Sequence, residues 1–257
     1  METVTHHGRS TAYRLSDRDA AGPTVLCVHG SGGSHGVWKG QFRLADEYPV
    51  AALDLGGHGE SADFDADAGW ATLSAYADEV LAVADAVDAD VLAGNSLGGA
   101  VALHVALERD VDFDGLVFAG TGARLAVLED LRVWLREEFE RAVEFLHEPG
   151  KLFHDPPEKY VALSKESIYD CGQAATARDF LTCHEFDVRD RVGEIGTPAL
   201  AVTGEHDRLT PPWFHEFLAD EMPDCAFATV DDAAHLSMLE RPVAFNETLG
   251  AFLVDLR

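Results

Sequence analysis

Five residues, Gly94-Asn95-Ser96-Leu97-Gly98, have the types and the spacing for nucleophilic chemistry. The apolar run 91–93 precedes them, and 100–107 follows with helical character. The order is strand, sharp turn, helix, with Gly-x-Ser-x-Gly at the turn. A serine squeezed into such a turn is strained, and the flanking glycines remove Cβ atoms that would clash. Its hydroxyl is pushed out above the sheet edge. The helix N-terminus behind it offers unpaired N–H groups and a partial positive charge, which suits a nucleophile whose product is an oxyanion. The same five residues also fit an ordinary glycine-rich turn. A phosphate loop fits less well: Gly94, Gly98 and Gly99 do not make Gly-x-Gly-x-x-Gly, and no Lys-Ser/Thr follows.

A nucleophilic serine needs a general base, and the base needs an orienting carboxylate at the same sheet edge. The elements that would position them are legible as runs. Residues 3–7 and 11–15 read as a hairpin. Strands are expected at 25–28, 50–53, 91–93, 116–119, 199–203 and 225–230, and helices at 37–45, 73–87, 100–108, 213–220 and 243–254. Alternation at this spacing predicts an α/β fold with a mainly parallel sheet flanked by helices, and functional groups at the carboxyl ends of the strands. The rhythm breaks at 123–187. That stretch reads as helices over 125–146, 159–169 and 176–184, with no strand. It divides the chain into a core of 1–122 and 188–257 and an inserted helical lid of 123–187 over the serine.

Asp207 follows the strand 199–203 and His235 follows the strand 226–230, in the chain order Ser, Asp, His. The assignments have rivals. His206 adjoins Asp207, but adjacent side chains on a strand-end loop rarely point at one centre. His58 is a second candidate base, and Asp231 and Asp232 lie close enough before His235 to orient it.

Five stretches together resemble the α/β-hydrolase superfamily, in its serine esterase and enol-lactonase-like branch. They are His29-Gly30-Ser31, the Asp54…Gly57-His58-Gly59-x-Ser61 loop, Gly94–Gly99, Gly204-x-x-Asp207…Pro211, and His235…Glu240-x-Pro242. The resemblance covers nearly the whole chain apart from the lid. It implies a Ser96–His235–Asp207 triad, an oxyanion hole from the backbone N–H groups of Ser31 and Leu97, and a structural role for His58. The acid found after strand 116–119 in some members is missing here, where the chain reads Gly120-Thr121-Gly122. The chain departs from the family pattern at Ala234, where glycine usually precedes the histidine. A positive φ there would displace His235.

The resemblance narrows the reaction. Ser96 stands where dehalogenases and epoxide hydrolases carry aspartate. The elbow lacks the Gly-Gly-Ser-Trp-Gly of proline iminopeptidases, and the 29–34 loop lacks the Gly-Pro-Gly of carbon–carbon hydrolases. The expectation is hydrolysis of a small-molecule ester, with lactones and thioesters as near variants and no metal or organic cofactor. The alternatives are a ligand receptor and a cofactor-free perhydrolase or haloperoxidase on the same fold. Gly30, Trp38, Trp134, Phe139 and Phe180 are candidate pocket residues, with Phe145 and Phe153 behind them. Each aromatic serves equally to pack the lid onto the sheet. His147, His154 and His184 match no metal-site spacing and read as surface or packing residues.

Composition bounds the partners. Asp and Glu number 46 against 19 Lys and Arg, a formal charge of −27. Such a surface repels nucleic acid and anionic membrane. The acids are spread along the chain, as in proteins of salt-in halophilic organisms. No apolar run approaches the roughly 18–20 residues that span a bilayer, and the polar start lacks a signal-peptide core. A cytoplasmic monomer or homodimer acting on a small molecule is expected. The 4 cysteines form no metal or redox motif and read as buried free thiols.

Overall fold

The computed structural model of the chain describes residues 1–256. Its strands are β1 (Glu2–His6), β2 (Arg9–Ser16), β3 (Val25–Val28), β4 (Val50–Leu53), β5 (Val91–Asn95), β6 (Gly115–Ala119), β7 (Ala199–Gly204) and β8 (Cys225–Val230). They form one sheet in the order β1-β2-β4-β3-β5-β6-β7-β8. The β1–β2 hairpin joins β4 antiparallel, and every pair from β4 to β8 is parallel. The helices are α1 (Trp70–Val87), α2 (Leu97–Glu108), α3 (Glu129–Glu137), α4 (Phe139–Leu146), α5 (Glu158–Glu185), α6 (Pro212–Glu221), α7 (Ser237–Glu240) and α8 (Pro242–Asp255).

Strands β3 to β7 are buried along their whole length, which is why they read as continuous apolar runs. The pleat divides their side chains between two cores. Leu26, Leu92 and Phe118 pack with Tyr76 of α1 and Val101 of α2, while Cys27, Ala93 and Val117 pack with Phe245 of α8. With both faces covered, the open ground is the carboxyl edge, where Ser96, Asp207 and His235 follow β5, β7 and β8.

Several elements differ from their sequence pattern. The helix expected at 37–45 is two 3₁₀ turns, His35–Trp38 and Gln41–Leu44, in a stretch interrupted by Gly36 and Gly40. The helix expected at 125–146 starts later and breaks at Glu138 (φ −137°, ψ 58°), giving α3 and α4. The two helices expected between 159 and 184 run together as α5, kinked at Gly172 (φ 82°, ψ 163°), a conformation that glycine supplies. The chain enters and leaves this helical stretch side by side. Arg124 bridges Asp187, and Val188 N–H donates to the Ala123 carbonyl at 2.8 Å. Cys27 and Cys183 are buried free thiols as expected, but Cys171 and Cys225 are only half-buried.

Candidate active site

Ser96 sits between β5 and α2 with φ 55° and ψ −116°, a region that L side chains rarely occupy. A Cβ at Gly94 would collide with the Gly98 carbonyl, and one at Gly98 with the Val28 carbonyl. The close approach of backbones at this elbow therefore requires both glycines. Hydrogen bonds to the neighbouring strand end hold the strained turn. Ser96 N–H donates to the Ala119 carbonyl at 3.0 Å, and the Thr121 hydroxyl donates to the Ser96 carbonyl at 2.8 Å.

His235 Nδ1 donates to Asp207 Oδ2 at 2.9 Å, and both side chains are buried. Asp207 also accepts the N–H groups of Leu209 (2.8 Å) and Thr210 (3.0 Å) and the Thr210 hydroxyl (2.8 Å). Burial opposes the Asp207 charge, but the His235 ring and the Thr210 hydrogen bonds outweigh it, so its pKa lies below the ordinary carboxylate value. With Nδ1 committed to Asp207, the Nε2 lone pair is the one left for substrate chemistry. Ser96 and His235 wall the same cavity but form no hydrogen bond with each other. Such contacts commonly tighten only when substrate is bound.

The rival residues lie elsewhere. His206 is near Glu205, not the serine. His58 is buried in the 54–61 loop, and Asp231 and Asp232 do not meet the His235 ring. Ala234 is absent from the described residues with positive φ, which include Asp232 at 52°, so the missing glycine leaves no strain next to His235.

Glu240 holds the His235 loop from below, a role that the sequence motif did not reveal. This buried carboxylate accepts the N–H groups of Ala234 (2.9 Å), His154 (2.9 Å) and Asp155 (2.7 Å). Replacing it with glutamine puts an amide donor against those donors. The Glu240→Gln variant is expected to lose about 2 kcal/mol of stability, roughly 4–8 °C in Tm by thermal melt.

Ser31 and Gly30 follow β3, beside β5, and both line the cavity with Ser96. Among the described residues, the N–H groups of Ser31 and Leu97 have no backbone acceptor outside regular elements. Leu97 opens α2, where an N–H has no intrahelical partner.

The cavity is about 490 Å³, the size of a small-molecule site. Leu125, Val127, Leu131, Phe145, Ile168 and Phe180 form much of its apolar wall. Four pocket expectations need correction. Trp38 is fully buried in the core against Phe245, because the 3₁₀ turn directs it inward. Trp134 packs edge-on against Phe145, and Phe139 against Tyr169, so both serve packing among α3, α4 and α5 and neither lines the cavity. Phe153 belongs to the core.

A cluster that spacing could not reveal lies outside the cavity. His154, His206 and Asp232 each offer a ligand atom, all within 4.8 Å of one another, and the two imidazoles stack at 3.8 Å. Its members come from three segments that only the fold brings together.

The family model for the alpha/beta hydrolase family matches residues 25–248. The chain belongs to that family. This α/β hydrolase is 28% identical over 262 residues to a proposed carbamate hydrolase of Agrobacterium fabrum, covering 96% of each chain. It is 30% identical over 240 residues to a pimeloyl-[acyl-carrier protein] methyl ester esterase of Neisseria meningitidis serogroup A, covering 86% of this chain and 73% of the other. Among solved structures, a thermophilic esterase superposes with a TM-score of 0.86 at 28% identity, covering 99% of this chain and 97% of the other.

Proposed function

We propose that this α/β hydrolase cleaves a small-molecule carboxylic ester or lactone through an acyl-enzyme on Ser96. One observation carries the reading. The strained Ser96, the Asp207-paired His235 and the Ser31 loop converge on one apolar cavity, with the N-terminus of α2 behind the serine. His235 Nε2 takes the Ser96 proton as Oγ attacks the carbonyl carbon. Asp207 fixes the imidazole tautomer and stabilises the imidazolium that forms. The N–H groups of Ser31 and Leu97 receive the oxyanion. His235 then protonates the departing alcohol, and water releases the acyl group by the same route.

The names of similar proteins support esters first. The 123–187 stretch serves in this reading as a lid, because Leu131, Phe145, Ile168 and Phe180 of that stretch roof the cavity. A panel of p-nitrophenyl esters, lactones and carbamates tests the reading. Turnover of esters or lactones is expected. A wild-type protein that is folded in the assay yet cleaves none of them would overturn it.

The acidic composition supports a setting of high salt, in the cytoplasm of a salt-in organism. Self-repulsion at −27 is costly in dilute buffer and screened in strong salt. Raising KCl from dilute to molar is expected to lift Tm by about 5–10 °C, a few kcal/mol for a chain of this size. An unchanged melting curve would count against the setting while leaving the chemistry intact.

A further inference from the structure

The charge of the molecule changes sign at the active-site cavity. The chain carries 46 acidic residues and 19 Lys and Arg, yet among the described residues the cavity wall holds Lys39, Lys151 and Arg208 and not one Asp or Glu. Two of the four lysines in the protein, Lys39 and Lys151, stand there.

Their surroundings leave charge to spare. Lys39 is exposed and has no ion pair among the described residues; its ammonium lies 4.2 Å from the centre of the Tyr160 ring, which also lines the cavity. Arg208 is exposed as well, and no ion pair is formed by its guanidinium among the described residues. Its stem lies along Gly150, fixed by an Arg208 N–H bond to the Gly150 carbonyl at 2.8 Å. Lys151 pairs with Glu148 and lies over the Phe145 ring, and its carbonyl accepts His235 N–H at 3.2 Å. Arg208 follows Asp207 directly in the chain. Lys151 and Arg208 therefore border the base and the acid of the site. The exposure of two of them places this charge at the solvent side of an otherwise apolar cavity.

An apolar cavity whose wall holds two cations unpaired among the described residues, Lys39 and Arg208, suits one kind of molecule. We propose that the ester or lactone opened at Ser96 bears an anionic end group, a carboxylate or a phosphate, which Lys39 and Arg208, with Lys151, receive at the cavity rim while its hydrocarbon part lies inside. This proposal rests on the hydrolase reading and names the substrate class of the same site. It also gives the rim a purpose in so acidic a protein. An anionic substrate is repelled by the molecule as a whole, and only a local cluster of the opposite sign makes its entry favourable. Strong salt shortens the range of the repulsion to about 3 Å at 1 M, whereas contact with the rim acts at hydrogen-bond distance.

The test compares the methyl hemi-ester of suberic acid with its neutral dimethyl ester, at one fixed KCl concentration. A third ester of like length ends in phosphate. The expected result is a higher kcat/KM for the charged esters, and comparison of the two identifies which anion the rim prefers. The ratio of charged to neutral kcat/KM should fall about three- to tenfold in Lys39→Gln and again in Arg208→Gln, the range for partly exposed charge contacts. Lys39→Arg should restore the ratio. Lys165→Gln, which removes a lysine paired with Glu144 and absent from the cavity wall, should leave it in place. A neutral ester cleaved as well as both charged ones, or a ratio unmoved in the Lys39→Gln/Arg208→Gln double variant, overturns the proposal. If p-nitrophenyl esters are still cleaved by the wild type, the hydrolase reading survives that result. If no ester is cleaved, calorimetry with octanoate and octan-1-ol decides. Tighter binding of octanoate supports the anionic subsite, and equal or weaker binding overturns it.

Discussion

Alanine at position 96 is expected to lower kcat by about 10⁶-fold on any ester that the wild type cleaves, with little change in KM. The reason is specific to the geometry. In the proposed reaction, removing Oγ deletes the attacking atom but leaves the His235–Asp207 pair, the cavity and the backbone donors in place. Those remaining parts are the source of the residual rate, about 10³–10⁴ over water in enzymes of this kind. The variant keeps the strained φ of 55°, which alanine tolerates no better than serine, so its melting curve should stay close to that of the wild type. Two measurements check the claim together. Steady-state kinetics reads the loss, and mass spectrometry after a brief reaction shows an acyl adduct on the wild type and none on Ser96→Ala. A variant that turns over at the wild-type rate while folded would remove Ser96 from the chemistry.

The residues behind that prediction were legible in the sequence because each follows a short apolar strand. A parallel sheet collects strand ends at one edge, so Ser96, Asp207 and His235 stand out as candidates for one site, and the family resemblance sets them apart from rivals such as His58 and Asp232. The residues of the 123–187 stretch obey no such rule. The sequence marks 125–146, 159–169 and 176–184 as helical, but it does not show that Glu138 breaks the first or that the other two run together with a kink at Gly172. Those two positions decide which aromatic rings face the serine, and so Trp134 and Phe139 were misplaced while Phe180 was not. Trp38 went astray for a related reason, since a 3₁₀ turn rotates side chains by a different step than the expected helix. The cationic rim was hidden more thoroughly. Lys39, Lys151 and Arg208 are isolated in the chain, and nothing in their spacing says that they share a wall.

The same helical stretch holds one half of a buried ion pair whose loss should cost the most stability. His58 Nε2 lies 3.0 Å from Asp179 Oδ2, with both side chains fully buried, one on the 54–61 loop and the other on α5. The Gly56 carbonyl accepts from His58 Nδ1 at 3.2 Å, and the Tyr76 hydroxyl donates to Asp179 Oδ1 at 2.7 Å. Gly32 N–H donates to the same Nε2 at 3.3 Å when that nitrogen carries no proton. Asp179 Oδ2 has no other hydrogen-bond partner among the described residues, and its ion-pair contact is the His58 ring. Burial by itself would lower the His58 pKa, but the Asp179 carboxylate overrides it and raises the pKa well above 6.5. The neighbouring His29 ring, 4.8 Å away, is pushed by burial to about 4 and stays neutral, leaving the positive charge on His58. Replacing His58 with alanine strands the Asp179 carboxylate, at an expected cost of about 3–5 kcal/mol. That corresponds to a fall of roughly 10 °C in Tm for a chain of this length. The pH dependence has a definite sign. Because the folded pKa lies above the unfolded one, the pair stabilises fully below pH 6.5 and loses its contribution as pH rises through the folded value. The gap in Tm between wild type and His58→Ala should therefore be widest near pH 6.5 and narrow in alkali. A gap that stays constant with pH would mean that His58 is neutral and only fills space. Ile168, Phe180 and Cys183 of α5 line the cavity, so weakening this pin should also raise KM before the protein unfolds. The interaction that ties α5 to the 54–61 loop thus also shapes the wall of the cavity that Ser96 lines.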